Sequence, residues 1–365
     1  MYIHERKEWP RFIWDQAGLA VLLAEARHEQ GLLLGRMAAL GFDLREEASV
    51  LVLAQDAVNT AEIEGEILNP RSVRSSIVRR LGLEGVSTTP SDRNTDGLVE
   101  VLIDATRKYE LPLSEERMFG WHAALFPTGR SGMTRIAVGD WRKDESGPMQ
   151  VVSGPLGRKK VHFQAPEHGK LPEAMARFVC WFNAADRLDP VIKSALSHFY
   201  FITLHPFDDG NGRIARAIGD MQLARADRTG LRFYSMSAQI QKEKKSYYDT
   251  LEECQKGTLD LSVWIQWYLG TLTRAIDGAQ TILESTLGKA SFWKQHAGDT
   301  FNSRQNAMLN RVLDGFEGKL TSSKWAKITK CSQDSAQRDI NDLIERSILE
   351  KEEAGGRSTS YRLRR

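Results

Sequence analysis

The sequence of 365 residues predicts a mostly α-helical protein. Three observations carry that reading. Apolar residues recur at three- and four-residue intervals over 16–40 and again over 44–68. A helix, a tight loop and a second helix are written around His205-Pro206-Phe207-Asp208-Asp209-Gly210-Asn211-Gly212-Arg213-Ile214-Ala215-Arg216, with apolar helical spacing on both sides. Strand character is confined to 136–166, which shifts period, and to a two-stranded wing over Leu349 to Thr359 and Tyr361-Arg362-Leu363. In 136–166, Ile136-Ala137-Val138-Gly139 leads to Trp141-Arg142, and then Met149-Gln150-Val151-Val152 and Val161-His162-Phe163 straddle Gly154-Pro155-Leu156-Gly157, which reads as a β-hairpin.

From the N-terminus, Trp9-Pro10-Arg11-Phe12-Ile13-Trp14 reads as an aromatic packing strap ahead of the first helix, whose apolar positions include Leu19, Leu22, Leu23, Ala26 and Leu33. The 44–68 helix carries Thr60-Ala61-Glu62-Ile63-Glu64-Gly65, with Thr60 and Glu64 one turn apart on one face. Gly65 would let another backbone approach closely, and Asn69-Pro70 signals a stop. A basic amphipathic helix over 71–83 reads as a solvated face, and the Gly/Ser/Thr/Pro-rich 84–94 marks a domain boundary. Three domains are expected: 1–94, 95–298 and 299–365. Ser114 caps a helix through Trp121 and His122, and His122 reads as a satisfied interior histidine.

The twelve-residue stretch holds the chemistry. Asn211 is a good N-cap, and the glycines let free amides converge on one point, a site for phosphate. Arg213 and Arg216, at i and i+3, reach the same anion. Asp209 offers the oxygen ligand that a phosphate-bridging Mg²⁺ takes, and His205 can titrate near neutral pH as a general base. Hydrophobic content of 41% and charged content of 27% suit a soluble globular protein. No apolar run approaches the about 18 residues of a membrane span, and the N-terminus has no signal-peptide pattern, so no membrane partner is expected. Cys180, Cys254 and Cys331 are far apart, which argues for a reducing cytoplasm and against zinc. The formal charge is +2, and 302–365 alone holds thirteen Lys/Arg against nine Asp/Glu, so nucleic-acid contact is to be sought at the C-terminus.

The twelve residues resemble the Fic family signature, His-Pro-Phe-x-[Asp/Glu]-Gly-Asn-Gly-Arg-x-x-Arg, at every specified position. The resemblance implies a Fic-type helical core that moves AMP from ATP to a Ser, Thr or Tyr hydroxyl of a target protein or of itself. It implies His205 as the base and Asp209 on Mg²⁺. Gly210, Asn211 and Gly212 would line the phosphate cradle, and Arg213 and Arg216 would clamp the outer phosphates. Thr60 to Gly65 looks like the family's inhibitory motif, [Ser/Thr]-x-x-x-Glu-[Gly/Asn], with Glu64 competing for Arg216. By its place ahead of the motif, the hairpin matches the Fic flap, with Met149, Gln150 and Val151 docking the target segment by strand addition. Tyr248 and Gln255, seven apart on a later helix, would meet the adenine and ribose, although many members have Asn at the second position. The stretch 305–365 resembles a winged helix-turn-helix, with Gln333, Ser335, Gln337 and Arg338 towards a major groove and Arg357 on the wing. Asp334, Asp339 and Asp342 oppose a phosphate backbone there, so a protein partner fits as well as DNA. Two rivals stand beside AMP transfer: hydrolytic removal of AMP through the same site, and a DNA-binding regulator with a nucleotide-sensing core. A homodimer that buries the inhibitory face is compatible with the sequence.

Overall fold

The computed structural model describes all residues except 84–88, 145–146, 155–157, 159, 314–315, 317, 353–358 and 365, and omits the side chains of 281–282, 284–287 and 290. The chain divides into two compact units, 1–279 and 280–365. The boundary expected at 84–94 falls inside the first of them.

In the first unit, α1 (Gln16–Ala38), α2 (Phe42–Ile63) and α3 (Pro70–Arg80) precede α4 (Arg93–Arg107) and α5 (Glu115–Leu125). Two small antiparallel pairs follow, β1 (Arg130–Ser131) with β2 (Thr134–Arg135), and β3 (Gln150–Ser153) with β4 (Lys160–Gln164). Then come α6 (Leu171–Asn183), α7 (Pro190–Leu204), α8 (Asn211–Asp227), α9 (Met236–Lys242), α10 (Lys244–Lys256) and α11 (Ser262–Gln295), which runs across the division between units. The hairpin is shorter than its apolar pattern suggests. Residues 136–138 pair with no strand, and Ala137 N–H instead bonds the Asp208 carboxylate. The turn residues 155–157 lie outside the described residues.

The α7 and α8 pair forms the centre. α7 is apolar on nearly every face and buried throughout from Val191 to Leu204, which makes it the axis around which the other helices pack. α8 is buried along most of its length and also touches α2, α4, α5 and α9. The aromatic strap packs as expected, with Trp9 and Phe12 edge-on to Tyr200 of α7 at 5.2 and 5.5 Å. Ser114 caps α5 by accepting from Arg117 N–H.

A buried polar hub fastens the N-terminal helices to α8. Gln30 of α1 donates to Asp227 and to Tyr234, and Arg232 bridges Asp227 at 2.7 Å and Asp220 at 3.3 Å. Asp56 of α2 accepts from Ser235 Oγ at 2.5 Å and faces Asp220 across a cavity of about 10 Å³, no larger than one water needs. Burial, and then the Asp56 carboxylate, push Asp220 up to about 8. Buried hydrogen bonds of this kind contribute mainly by avoiding unpaired groups, which would cost about 1–3 kcal/mol each.

The second unit has its own core. α12 (Ser303–Leu313), α13 (Ser322–Thr329) and α14 (Gln333–Glu345) enclose Met308, Leu309, Trp325, Ile340 and Leu343, beside the pair β5 (Leu349–Lys351) and β6 (Tyr361–Leu363). The charge expected on α14 is partly turned inward. Asp339 is buried against Arg304, and Gln337 donates to Asn341 and to Tyr361 Oη. Gln333 donates to Ser323, Ser335 lies against the Ser332 cap, and Arg338 is exposed. Arg357 lies outside the described residues. Among the described residues no helix is long and apolar enough to cross a membrane.

The raised carboxylate has a consequence for stability. Asp220 binds its proton more tightly folded than unfolded, so its contribution is complete below about pH 4 and is lost as pH rises towards 8. Melting temperature should therefore fall across that window in the wild type. Asp220→Asn, which stays neutral, should flatten the fall; an unchanged slope would place the proton elsewhere.

Candidate active site

The loop between α7 and α8 is held from several sides. His205 ends α7 in the left-handed region, at φ 50°. Arg142 accounts for the turn that follows: its backbone N–H bonds Pro206 O, its Nε bonds His205 O at 2.8 Å, and its remaining nitrogens take Asp144 and Pro166 O. Asn211 spans the loop, accepting from Phe207 N–H at 2.9 Å and donating to Phe207 O at 2.7 Å. Its side chain is thus a loop clamp, and the N-cap of α8 is Gly210, not Asn211. Gly210 has φ 81°, and a Cβ there would lie 2.8 Å from the Phe126 ring, so two constraints require glycine. Beneath the loop the buried Phe207 ring stacks on His122 at 4.2 Å. His122 donates to Asp209 O and accepts from Gly139 N–H, and burial lowers its pKa to about 4. It is the satisfied interior histidine expected.

The start of α8 meets the end of α2. Gly65, at φ 84°, terminates α2 with Gly65 N–H on Glu62 O and Glu66 N–H on Ala61 O, the double bond pattern of a Schellman motif. Nothing approaches the position of a Gly65 Cβ. The glycine serves the turn and not a close backbone approach. This turn presents two carboxylates. Glu64 bonds Arg216 Nη2 at 2.7 Å, and Thr60 meets the same guanidinium through its hydroxyl at 2.6 Å and its carbonyl at 3.1 Å. Glu66 bonds Arg213 Nη1 through both oxygens at 3.1 Å. The Glu64 carboxylate fills the space beside Gly212, where a Cβ would lie 2.2 Å from its Oε1. Lys244, at the start of α10, donates to Ile63 O at 2.6 Å and so satisfies a terminal carbonyl of α2.

Glu64, Gly212 and Arg216 line one side of a cavity of about 490 Å³. His205, Tyr248 and Gln255 line it too, and Val151, Val152 and Phe163 of the hairpin form a wall. Seven of the expected residues therefore converge. Gly210, Asn211, Arg213 and Asp209 lie outside the lining, in the loop and the first turn of α8. The Asp209 carboxylate accepts from Ser131 Oγ and from Gly210 N–H. Tyr248 is half-exposed, whereas Gln255 is buried with Nε2 on Thr203 Oγ1 at 3.3 Å. In the hairpin only Val151 of the expected docking residues reaches the cavity. Gln150 pairs across the hairpin with Gln164, and Met149 O accepts from Ala165 N–H.

Charge in the cavity is governed by burial. His205 Nδ1 lies 3.3 Å from Ile202 O, a carbonyl that only accepts, so the ring proton sits on Nδ1 and Nε2 keeps a lone pair. Burial, with Arg142 adding to it, lowers the His205 pKa to about 4 instead of leaving it near neutrality. His198 is buried with Nε2 on Tyr247 Oη at 2.9 Å and is lowered to about 3 by burial and Arg216. Arg142, Glu66 and Lys244 are the contributors that sequence reasoning overlooks. Glu66 had a signal, a second carboxylate two residues after Glu64; Arg142 and Lys244 had none.

Residues 112–223 match the model described as Fic/DOC family, and residues 2–83 match a domain of unknown function, DUF4172. A relative from Culex quinquefasciatus named protein adenylyltransferase Fic is 31% identical over 134 residues, 31% of this chain and 26% of its own length. The protein of that name from Drosophila willistoni is 29% identical over 228 residues, 58% and 41% respectively. The chain thus spans less than half the length of these curated relatives. A crystal structure of a Fic family protein from Desulfovibrio desulfuricans superposes with a TM-score of 0.54 at 19% identity, covering 96% of this chain and 97% of that one. A Fic domain containing signaling protein from Bacteroides thetaiotaomicron gives 0.54 at 20% identity over 71% and 97%. With the signature loop seated between two packed helices, residues 112–223 belong with the Fic/DOC family, the chain is distantly homologous to proteins named Fic adenylyltransferases, and its fold is shared with the two solved structures.

Proposed function

We propose that the protein transfers AMP from ATP to a hydroxyl of a protein side chain, its own included, and that Glu64 holds the site in an inhibited state. The observation that carries this reading is Arg216. The residue is 3% exposed, and its Nη1 has no partner among the described residues; from the second turn of α8 its guanidinium reaches back beside Gly212, in one cavity with His205. A buried cation with an orphan donor beside a helix N-terminus is built for an anion with several oxygens. Glu64 supplies only part of what such an anion would give.

In the forward reaction the hydroxyl oxygen bonds to the α-phosphorus, the bond from phosphorus to pyrophosphate breaks, and the hydroxyl proton passes to His205 Nε2. The neutral ring with its proton on Nδ1 leaves Nε2 free to accept. Asp209, an oxygen donor beside the first turn of α8, fits the single carboxylate that a phosphate-bridging Mg²⁺ takes. When bound, that ion neutralises phosphate charge. Arg216, once released by Glu64, and Arg213 orient the outer phosphates, while Tyr248 and Gln255 face the nucleoside. Most acceleration comes from alignment, and a displacement of about 1 Å in the phosphates costs on the order of 100-fold. Glu64 on Arg216 enforces such a displacement. Gln150 and Val151, on a strand whose outer edge pairs with no other strand among the described residues, with Met149 just ahead of it, offer a place for the target segment.

Glu64→Gly incubated with Mg-ATP should gain a mass of one AMP on intact-protein mass spectrometry, at least tenfold faster than wild type. Equal labelling would remove the inhibitory role. His205→Ala in that background should abolish the adduct while leaving ATP binding within about threefold. The lowered His205 pKa sets the pH profile: the acid limb of kcat/KM for Glu64→Gly should lie closer to 4 than to the ordinary histidine value of about 6.5. A limb at or above that ordinary value would count against His205 as the base.

A further inference from the structure

The turn that carries Glu64 carries a second carboxylate, and its partner is the other arginine of the motif. Glu66 meets Arg213 Nη1 with both oxygens at 3.1 Å. The two members of this pair are unlike. Arg213 is 4% exposed, its guanidinium carbon sits 5.0 Å over the Phe126 ring, and its Nε has no partner among the described residues. The Glu66 side chain is 46% exposed. The cation is therefore fixed and incompletely satisfied, while the anion can swing into solvent at little cost. Its backbone stays anchored by the bond to Ala61 O, so only the side chain need move.

Building on the phosphate-cradle reading above, we propose that Glu66 is a specificity-determining residue that occupies Arg213 in place of an outer phosphate and sets how strongly the site rewards phosphate-chain length. Two carboxylates from one turn then hold two arginines of one helix. Withdrawal of Glu64 frees Arg216 alone, and a nucleotide engages Arg213 only by displacing Glu66. A nucleoside monophosphate, with no outer phosphate, is indifferent to Glu66. A triphosphate carries the competing charge and feels the carboxylate fully. Glu66 thus lowers the advantage of ATP over AMP, and it does so independently of Glu64.

The test is binding, measured by calorimetry on the full chain with Mg-ATP, Mg-ADP and AMP for wild type, Glu66→Ala, Glu66→Gln and Glu64→Gly/Glu66→Ala. Glu66 is half-exposed, so these variants should melt with the wild type. Glu66→Ala should tighten ATP about three- to fivefold, the upper end of the scale of a half-exposed ion pair, and leave AMP unchanged. Glu66→Gln, of equal size and no charge, should match Glu66→Ala, and the double variant should bind ATP more tightly than Glu64→Gly. An unchanged ATP affinity, an equal gain for AMP, or a Gln variant that behaves as wild type would overturn the proposal. Should no variant form an AMP adduct while the chain-length preference still shifts, the transfer reading fails and the role of Glu66 stands.

Discussion

Everything at the site depends on how α2 ends. A helix that stopped one residue earlier or later would aim its acidic residues elsewhere, because each residue turns the face by about 100°. The left-handed Gly65 stops it in a Schellman turn, and that turn delivers Glu64 to Arg216 and Glu66 to Arg213. The geometry is economical in residues: two charges are placed by one glycine and one helix.

The frame beneath is held by side-chain hydrogen bonds. Asn211 bonds the loop backbone with its amide, Arg142 does so with its backbone N–H and Nε, His122 uses both ring nitrogens, and the hub of Gln30, Asp56, Asp220, Asp227 and Arg232 ties α1 and α2 to α8. Buried polar atoms without a partner occur at several other places among the described residues, Trp141 and Tyr200 included, but Arg213 and Arg216 are the ones whose unpartnered nitrogens belong to the signature stretch. Functional sites are where such breaks collect, since a group satisfied within the chain has nothing left for a ligand.

Much of this was legible in the sequence. Helix positions followed from apolar spacing and from the Ser114 cap, while Asn69, read as the stop of one helix, also caps the start of the next. The convergence of Thr60, Glu64 and Arg216 followed from helical spacing joined to a motif. Other features were hidden because they depend on tertiary partners. Asn211 has the chemistry of a cap, yet its amide finds the Phe207 backbone across the loop and Gly210 takes the cap position. His205 titrates near neutrality in water, and only its surroundings lower it. Residues 136–138 have strand character but no strand to pair with; Ala137 N–H bonds Asp208 of the loop and Ile136 N–H bonds Gly129 O. Arg142 lies more than sixty residues from the turn it supports, beyond any local pattern.

Gly212 has a consequence for how this protein can change. The room beside its α-carbon is held by the Glu64 carboxylate, and the same room borders the cavity. A methyl group there would evict the carboxylate and narrow the recess for any incoming anion alike. Gain and loss are therefore coupled on the α8 side and separable only on the α2 side. Mutational routes towards a more open recess run through the end of α2, while the first turn of α8 has little freedom to vary.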